Sequence, residues 1–363
     1  MKPIHPESIR RLLIRGTNWV GDAVMSVPAL KAIRRVFPNA GISLLVRPWV
    51  RDVYAAAPFV DEILSYDKLE RHSGWMGRRL LISELRARRF DMAILLQNAM
   101  EAAWIAYWAR IPLRLGYRRD GRAILLTHAV RIDPAVRKVH QVYYYLGLLS
   151  GAGLLDDRPW ESEPCRAVSI AVPVSASDQE AARAMLLDHG ITADRPVVGL
   201  NPGASYGGAK RWPAERFAAL ADALAERCMA QIVIFGAPSE RPVAERVAAQ
   251  MASPPAVLAG RTTLGHLMGL IRECDLFITN DSGPMHLAAA LDVPQLAIFG
   301  STSEIATGPL SSRATVVRKA ADCSPCFLRE CPTDFRCMLG ITVGEILSAA
   351  EGMLRGKCGG ESK

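Results

Sequence analysis

Four stretches of this 363-residue chain carry side chains and spacings suited to chemistry. The first is Asn280-Asp281-Ser282-Gly283-Pro284-Met285-His286. Asp281 or Ser282 can cap a helix, Pro284 suits a first turn where its missing N–H costs nothing, and Gly283 lets backbone approach a ligand. Unpaired amides and the positive end of the helix dipole then face one point, with His286 in the same turn, which makes a phosphate site. The stretch fits an ordinary capped helix equally well. The second runs from Asn201 to Pro213. Gly203, Gly207 and Gly208 bare the backbone, Ser205 offers a hydroxyl, and Lys210 and Arg211 arrive just before a helix. Such a loop favours a pyrophosphate. The third is Gly16-Thr17-Asn18-Trp19-Val20-Gly21-Asp22. It is neither a Walker loop nor a dinucleotide fingerprint, because the glycine spacing and the following residues differ. Asp22, at a helix start, is either a cap or a general base at the mouth of a cleft. The fourth is Cys323, Cys326, Cys331 and Cys337, compact enough to bind zinc or an iron–sulfur cluster but in no common ligand spacing, and also compatible with free thiols.

Each stretch needs a scaffold, and the pattern around it supplies one. Arg10 to Arg15 reads as a strand before the Asp22 loop, and Ala23 to Phe37 as the helix after it. Strands at 42–47, 62–66 and 91–96 alternate with helical patterns, one from about Gly77 to Arg89. That alternation predicts a parallel, doubly wound sheet. Trp104 and Trp108, four residues apart, are expected in the core. Arg110, Arg114, Arg118, Arg119 and Arg122 form a basic stretch around Tyr117 that can hold phosphates or a lipid head group, or is a basic loop. A linker is expected over 156–164, then an edge strand over 168–174 that Pro173 weakens. A second domain begins with the strand 196–200, and continues with strands at 232–235, 257–258, 276–279 and 295–299. Its small polar turns at 203–210, 236–240, 280–286 and 300–302 all follow strands, where parallel sheets bind ligands. A last helix is expected over 343–354.

Composition narrows the class. Half the residues are hydrophobic, as in a globular protein, and 363 residues suit two domains. No apolar run is long enough to span a bilayer and the N-terminus lacks a signal-peptide core, so a cytoplasmic location is expected. Residues 1–150 hold 24 Lys and Arg against 12 Asp and Glu, a balance of +12; the remainder holds 20 against 24, or −4. A basic half suits an anionic surface or substrate: nucleic acid, acidic lipid or a phosphorylated sugar. Cys165, Cys228, Cys274 and Cys358 are scattered and expected to be free thiols.

Taken in order, 16–30, Asn201-Pro202-Gly203-Ala204 with Lys210-Arg211-Trp212-Pro213, Asn280 to His286, and the Cys-Ser-Pro-Cys loop resemble the ADP-heptose:lipopolysaccharide heptosyltransferases, glycosyltransferase family nine, most closely its type II members. The resemblance spans nearly the whole chain. It implies two Rossmann-like domains facing across a cleft (the GT-B architecture): an acceptor-binding domain over 1–175, a nucleotide-sugar domain over 176–340 and a C-terminal helix and tail over 341–363. It implies inverting, metal-independent transfer of heptose from ADP-heptose to the first heptose of the lipid A–Kdo inner core, with closure of the cleft assembling the site. The enzyme would work in the cytoplasm at the inner face of the membrane, with no nucleic acid partner and no required cofactor. Asp22 matches the family's catalytic base. Lys210 matches the residue that neutralises the diphosphate, Ser205 a hydroxyl near it, Glu240 loosely the acid on the adenosine ribose, and Asp281, Ser282, Gly283 and His286 the donor turn. Arg114, Arg118, Arg119 and Arg122 would meet the acceptor. The alternatives are a type I or later heptosyltransferase, a metal-binding or redox-sensing protein built on the four cysteines, and an RNA-binding protein, for which the basic half shows no recognised aromatic motif.

Overall fold

Strand β1 (Arg11–Arg15) buries Leu12, Leu13 and Ile14 in succession, as a central parallel strand covered on both faces must. Around it, in the computed structural model, which describes residues 3–162 and 167–354, the chain builds the first of two units that divide between Val172 and Pro173. The elements after β1 are α1 (Val20–Met25), α2 (Val27–Val36), β2 (Gly41–Val46), β3 (Glu62–Ser65), α3 (Gly74–Ala87), β4 (Met92–Leu95), α4 (Met100–Trp108), β5 (Leu113–Tyr117), β6 (His128–Val130) and α5 (Gln141–Gly151). The six strands are all parallel, in the order β3-β2-β1-β4-β5-β6. The winding reverses between β1 and β4, and the crevice at their C-terminal ends is where such a sheet takes a ligand.

The second unit repeats the plan. It comprises α6 (Ala176–Asp188), β7 (Val197–Asn201), α7 (Ala214–Cys228), β8 (Gln231–Ile234), α8 (Arg241–Ala248), β9 (Ala256–Val257), α9 (Leu264–Arg272), β10 (Leu276–Asn280), α10 (Gly283–Ala290), β11 (Gln295–Phe299), α11 (Glu304–Thr307), β12 (Ala314–Arg318), α12 (Arg336–Leu339) and α13 (Val343–Met353). Its parallel order, β12-β11-β10-β7-β8-β9, reverses between β7 and β10. Each unit is thus a doubly wound, Rossmann-like α/β layer structure. Helix α13 packs on α7 and belongs to the second unit rather than forming a separate tail. Residues 355–363, with Cys358, and residues 163–166, with Cys165, lie outside the described residues.

Several local expectations change. The helix expected from Ala23 to Phe37 is two helices, because Pro28 cannot donate to the carbonyl four residues back and so starts a new segment. The segment 168–174 forms no strand. The arginine-rich stretch contains β5, whose Arg114 and Gly116 interrupt its apolar pattern, and β6 and β12 complete the sheet edges. Trp108 is 49% exposed, because α4 turns Ala102, Ala103, Ile105 and Ala106 inward.

Trp212 ties the second unit's site loops to its core. Its ring packs edge-on against Phe217 at 5.1 Å, its indole N–H donates to the Ile341 carbonyl (3.0 Å), and its backbone N–H donates to Asn280 Oδ1 (3.0 Å). Trp212→Ala removes the ring and the indole donor, leaving the Ile341 carbonyl to Arg216 alone, so urea unfolding is expected to show a loss of about 3–5 kcal/mol; a loss below about 1 kcal/mol would contradict this anchoring.

Candidate functional site: two strand-end clusters

In the second unit, the loop after β7, the turn after β10 and the segment after β11 converge. Lys210 Nζ contacts Asp281 Oδ2 at 2.6 Å, with both side chains largely buried, and Thr302 Oγ1 donates to the same carboxylate oxygen at 2.5 Å. Asn280 turns inward to hold the glycine loop, its Nδ2 donating to the Pro202 carbonyl at 2.9 Å. Asn201 Nδ2 donates to Ser282 Oγ (3.2 Å) and Thr279 Oγ1 (3.4 Å). Ser282 occupies the N-cap position of α10, yet its hydroxyl is engaged by Asn201 and Thr279 and makes no cap hydrogen bond. The expected side-chain cap is therefore absent, which leaves the first-turn amides of α10 to a ligand. Gly283 opens that helix and His286 is buried within it. Asn201 Oδ1 and Ser301 Oγ are buried with no hydrogen-bond partner among the described residues, and such atoms normally have one.

Glu240 is buried beneath the glycine loop. Its carboxylate accepts from the Ala237 amide (2.9 Å) and the Ser205 hydroxyl (3.3 Å), and a Cβ at Gly203 would run into it. Lys210, Asp281, Ser282, Gly283 and His286 therefore lie on neighbouring strand ends, and Ser205 and Glu240 join through the same glycine loop.

The cysteine-bearing loop has a role that spacing did not reveal. Its 327–330 segment backs the glycine loop: Tyr206 donates to the Phe327 carbonyl (2.8 Å), the Ala209 amide to the Arg329 carbonyl (2.9 Å) and the Gly208 amide to Glu330 Oε1 (3.1 Å). A Cβ at Gly207 would strike the Arg329 carbonyl, so this contact requires glycine there. Phe327 also donates to the Ser301 carbonyl at 2.7 Å. The loop thus braces two of the strand-end segments, and the amides of Gly208 and Ala209 are spent on it rather than on a ligand. Cys323, Cys326, Cys331 and Cys337 line one small cavity of about 60 Å³, but among the described residues no three His, Cys, Asp or Glu side chains are grouped to hold a metal ion.

In the first unit, Asp22 sits in the first turn of α1, on the loop leaving β1. Tyr145, from α5, donates to its Oδ1 at 2.9 Å. Burial raises the Asp22 carboxyl above the usual carboxylate range, and the Tyr145 hydrogen bond partly opposes that. No cation pairs with it among the described residues, so its charge is held by one hydroxyl. Nearby strand ends carry two buried arginines. Arg15 donates to the Gly16 and Leu45 carbonyls (2.5 and 3.1 Å) and Asn18 Oδ1 (2.8 Å); burial, and then the Arg47 charge, lower it to about 9. Arg47 stacks over Tyr66 at 4.3 Å. Trp19 and Trp49 are exposed on the same loops, and Trp49 Nε1 donates to the Asn18 carbonyl at 2.7 Å. Sequence reading missed Tyr145, Arg15 and Arg47, for which only the charged end of β1 offered a signal, and reached Thr302 only as part of the 300–302 turn.

The acceptor arginines divide. Arg122 is fully buried, donating to the carbonyls of Tyr117 (3.0 Å) and Gln97 and to Asn98 Oδ1 (3.1 Å), so it is a structural group rather than an acceptor contact. Arg114 spends its guanidinium on the Leu125 and Ile111 carbonyls (2.7 and 2.5 Å) and the Tyr107 face. Arg118 and Arg119 are exposed just beyond β5, Arg119 in a loose ion pair with Asp120 at 3.8 Å.

A family model described as glycosyltransferase family 9 (heptosyltransferase) matches residues 78–335. The lipopolysaccharide heptosyltransferase 2 of Salmonella typhimurium is 33% identical over 316 residues, covering 85% of this chain and 88% of that protein. The solved structure of Escherichia coli ADP-heptose lps heptosyltransferase II superimposes with a TM-score of 0.79 at 29% identity, over 95% of this chain and 98% of that one. A family 9 glycosyltransferase of Veillonella parvula gives 0.82 at 26% identity, over 95% and 97%. With the family model covering more than half of the chain and a relative above 30% identity across most of it, this protein belongs to glycosyltransferase family 9, the heptosyltransferases.

Proposed function

We propose that the chain transfers L-glycero-D-manno-heptose from ADP-heptose to the first heptose of the lipopolysaccharide inner core, a reading that its relatives named lipopolysaccharide heptosyltransferase 2 support, and that it works at the inner face of the cytoplasmic membrane. The observation that carries the reading is the second unit's cluster. One buried cation, Lys210, is aimed by Asp281 beside a glycine loop and the uncapped start of α10. That is what a leaving diphosphate requires, since its charge grows as the glycosidic bond breaks.

The acceptor hydroxyl attacks the anomeric carbon, its proton passes to Asp22, and the bond to ADP breaks with inversion. A single base suffices because no covalent intermediate forms. Half-burial and the lack of a cationic partner make the Asp22 carboxylate more basic than a solvated one, while Tyr145 fixes its orientation. Lys210 and the α10 amides neutralise the charge that grows on the leaving diphosphate, so this chemistry calls on no metal. The reading is tested by transfer assays with ADP-heptose and inner-core acceptors carrying one heptose or none; transfer to the mono-heptosylated acceptor is expected, and transfer only to the unheptosylated one would overturn it.

Asp22→Asn is expected to lower kcat by roughly 10²–10⁴-fold while ADP affinity, read by calorimetry, holds; a lost ADP affinity would contradict the base assignment. Because the folded-state carboxyl is raised, activity should fall as pH drops through that raised value, above the range of an ordinary aspartate. Tyr145→Phe removes the one hydrogen bond that lowers it, so the acidic limb of the kcat profile should move to higher pH; an unmoved limb would contradict the coupling. Lys210→Ala removes the cation and leaves Asp281 unpaired near the phosphates, so ADP affinity should fall at least about tenfold; unchanged affinity would remove Lys210 from the site.

A further inference from the structure

The first unit carries an exposed aromatic face that neither the sheet nor the Asp22 site uses. Trp75 and Met76, at the start of α3, are 59% and 83% exposed, and Leu80 one turn on is also exposed. On α4, Tyr107 and Trp108 are exposed. Half-buried Trp104 links the two helices: its ring lies 5.8 Å from Trp75 and 6.2 Å from Trp108, which meets Tyr107 edge-on at 5.7 Å. The result is a continuous ladder of four rings across two helices, flanked by methionine and leucine.

Arginines flank the ladder. Arg86 donates to the Trp108 carbonyl at 2.5 Å, Arg114 lies over the Tyr107 ring at 5.4 Å, and Arg78 donates to the Gly74 carbonyl at 3.1 Å. Arg79 and Arg110 are exposed and pair with no carboxylate among the described residues. The two carboxylates on these helices are already answered, Glu84 by Arg71 (2.5 Å) and Glu101 by Lys68 (3.1 Å). A soluble face would not hold tryptophans in water for nothing: large apolar patches mark contact surfaces. Tryptophan and tyrosine with arginine nearby is the composition of a water–bilayer boundary, where the rings sit among head groups and the cations meet acidic lipid. Among the described residues no helix is long and apolar enough to cross a membrane, so such contact would lie along the surface.

We propose that the α3–α4 face, Trp75, Met76, Leu80, Tyr107 and Trp108 with Arg79 and Arg110, docks the protein on an anionic lipid bilayer. This deepens the membrane location given above by naming the face that makes the contact. Its readout is vesicle binding, so it fails or stands separately from heptosyl transfer.

The test is co-sedimentation of the full chain with phosphatidylcholine vesicles, with and without phosphatidylglycerol, alongside Trp75→Ser/Trp108→Ser and Arg79→Glu/Arg110→Glu double variants. Far-ultraviolet circular dichroism and the urea unfolding curve, which cover the first unit that carries these residues, confirm that each variant folds, and calorimetry with ADP checks the second unit. The wild type should bind only the anionic vesicles, less tightly as salt rises, with a blue shift of tryptophan emission. The charge variant should lose at least about tenfold in affinity, and the tryptophan variant should lose the blue shift and most of its binding. Wild-type indifference to anionic vesicles, or variants that bind like the wild type, would overturn the proposal. So would a change from dimer to monomer in sedimentation velocity in the tryptophan variant with vesicle binding retained, because a second copy would then be what covers the face.

Discussion

Lys210 and Asp281 come from loops that follow adjacent strands, β7 and β10, at the point where the second sheet reverses its winding. Their contact, with Thr302 from the end of β11 on the same carboxylate oxygen, ties three neighbouring strand ends through one charge. A largely buried ion pair is a poor source of stability, since desolvating both groups cancels most of the attraction. Its value here is positional. It holds an ammonium group, otherwise free to roam on four methylenes, beside a glycine loop and an uncapped helix start. The cysteine-bearing loop serves the same end from behind, with backbone and side-chain bonds to Tyr206, Gly208 and Ala209 that fix the glycine loop's shape.

The carboxylate of the first unit is treated in the opposite way. Asp281 is met by a cation, whereas Asp22 is met by a phenol and is half removed from water. Two aspartates, each just beyond a strand in a similarly wound sheet, thereby acquire different chemistry: one aims a positive charge, and the other is left basic enough to accept a proton. Environment, not residue type, makes the distinction. The two sheets supply comparable frames, and the loops on them supply the difference.

Much of this was written locally. The run from Leu276 to His286 announces a buried strand, a turn and a helix start, and β10 and α10 form there. Alternating strand and helix patterns gave a doubly wound parallel class for each half. What was not legible depends on partners far away in the chain. Tyr145 reaches Asp22 across 123 residues, and nothing near either position signals it. Arg122 reads as a surface cation because its neighbours are basic, yet it is buried by the carbonyls of Gln97 and Tyr117, which need a donor. Trp108 reads as core from its spacing to Trp104, yet small residues take the inward face of α4 and leave the large ring outside. Strand β5 was hidden because Arg114 and Gly116 break the apolar run that marks its neighbours.

The central claim is that the second unit's strand ends grip a nucleoside diphosphate. A crystal structure of the protein with ADP tests it most directly. The account predicts a phosphate oxygen within about 3 Å of Lys210 Nζ, with the diphosphate over the start of α10 and against the 204–207 loop. Diphosphate density seated anywhere else, with the Lys210–Asp281 pair undisturbed and no phosphate near it, would contradict it.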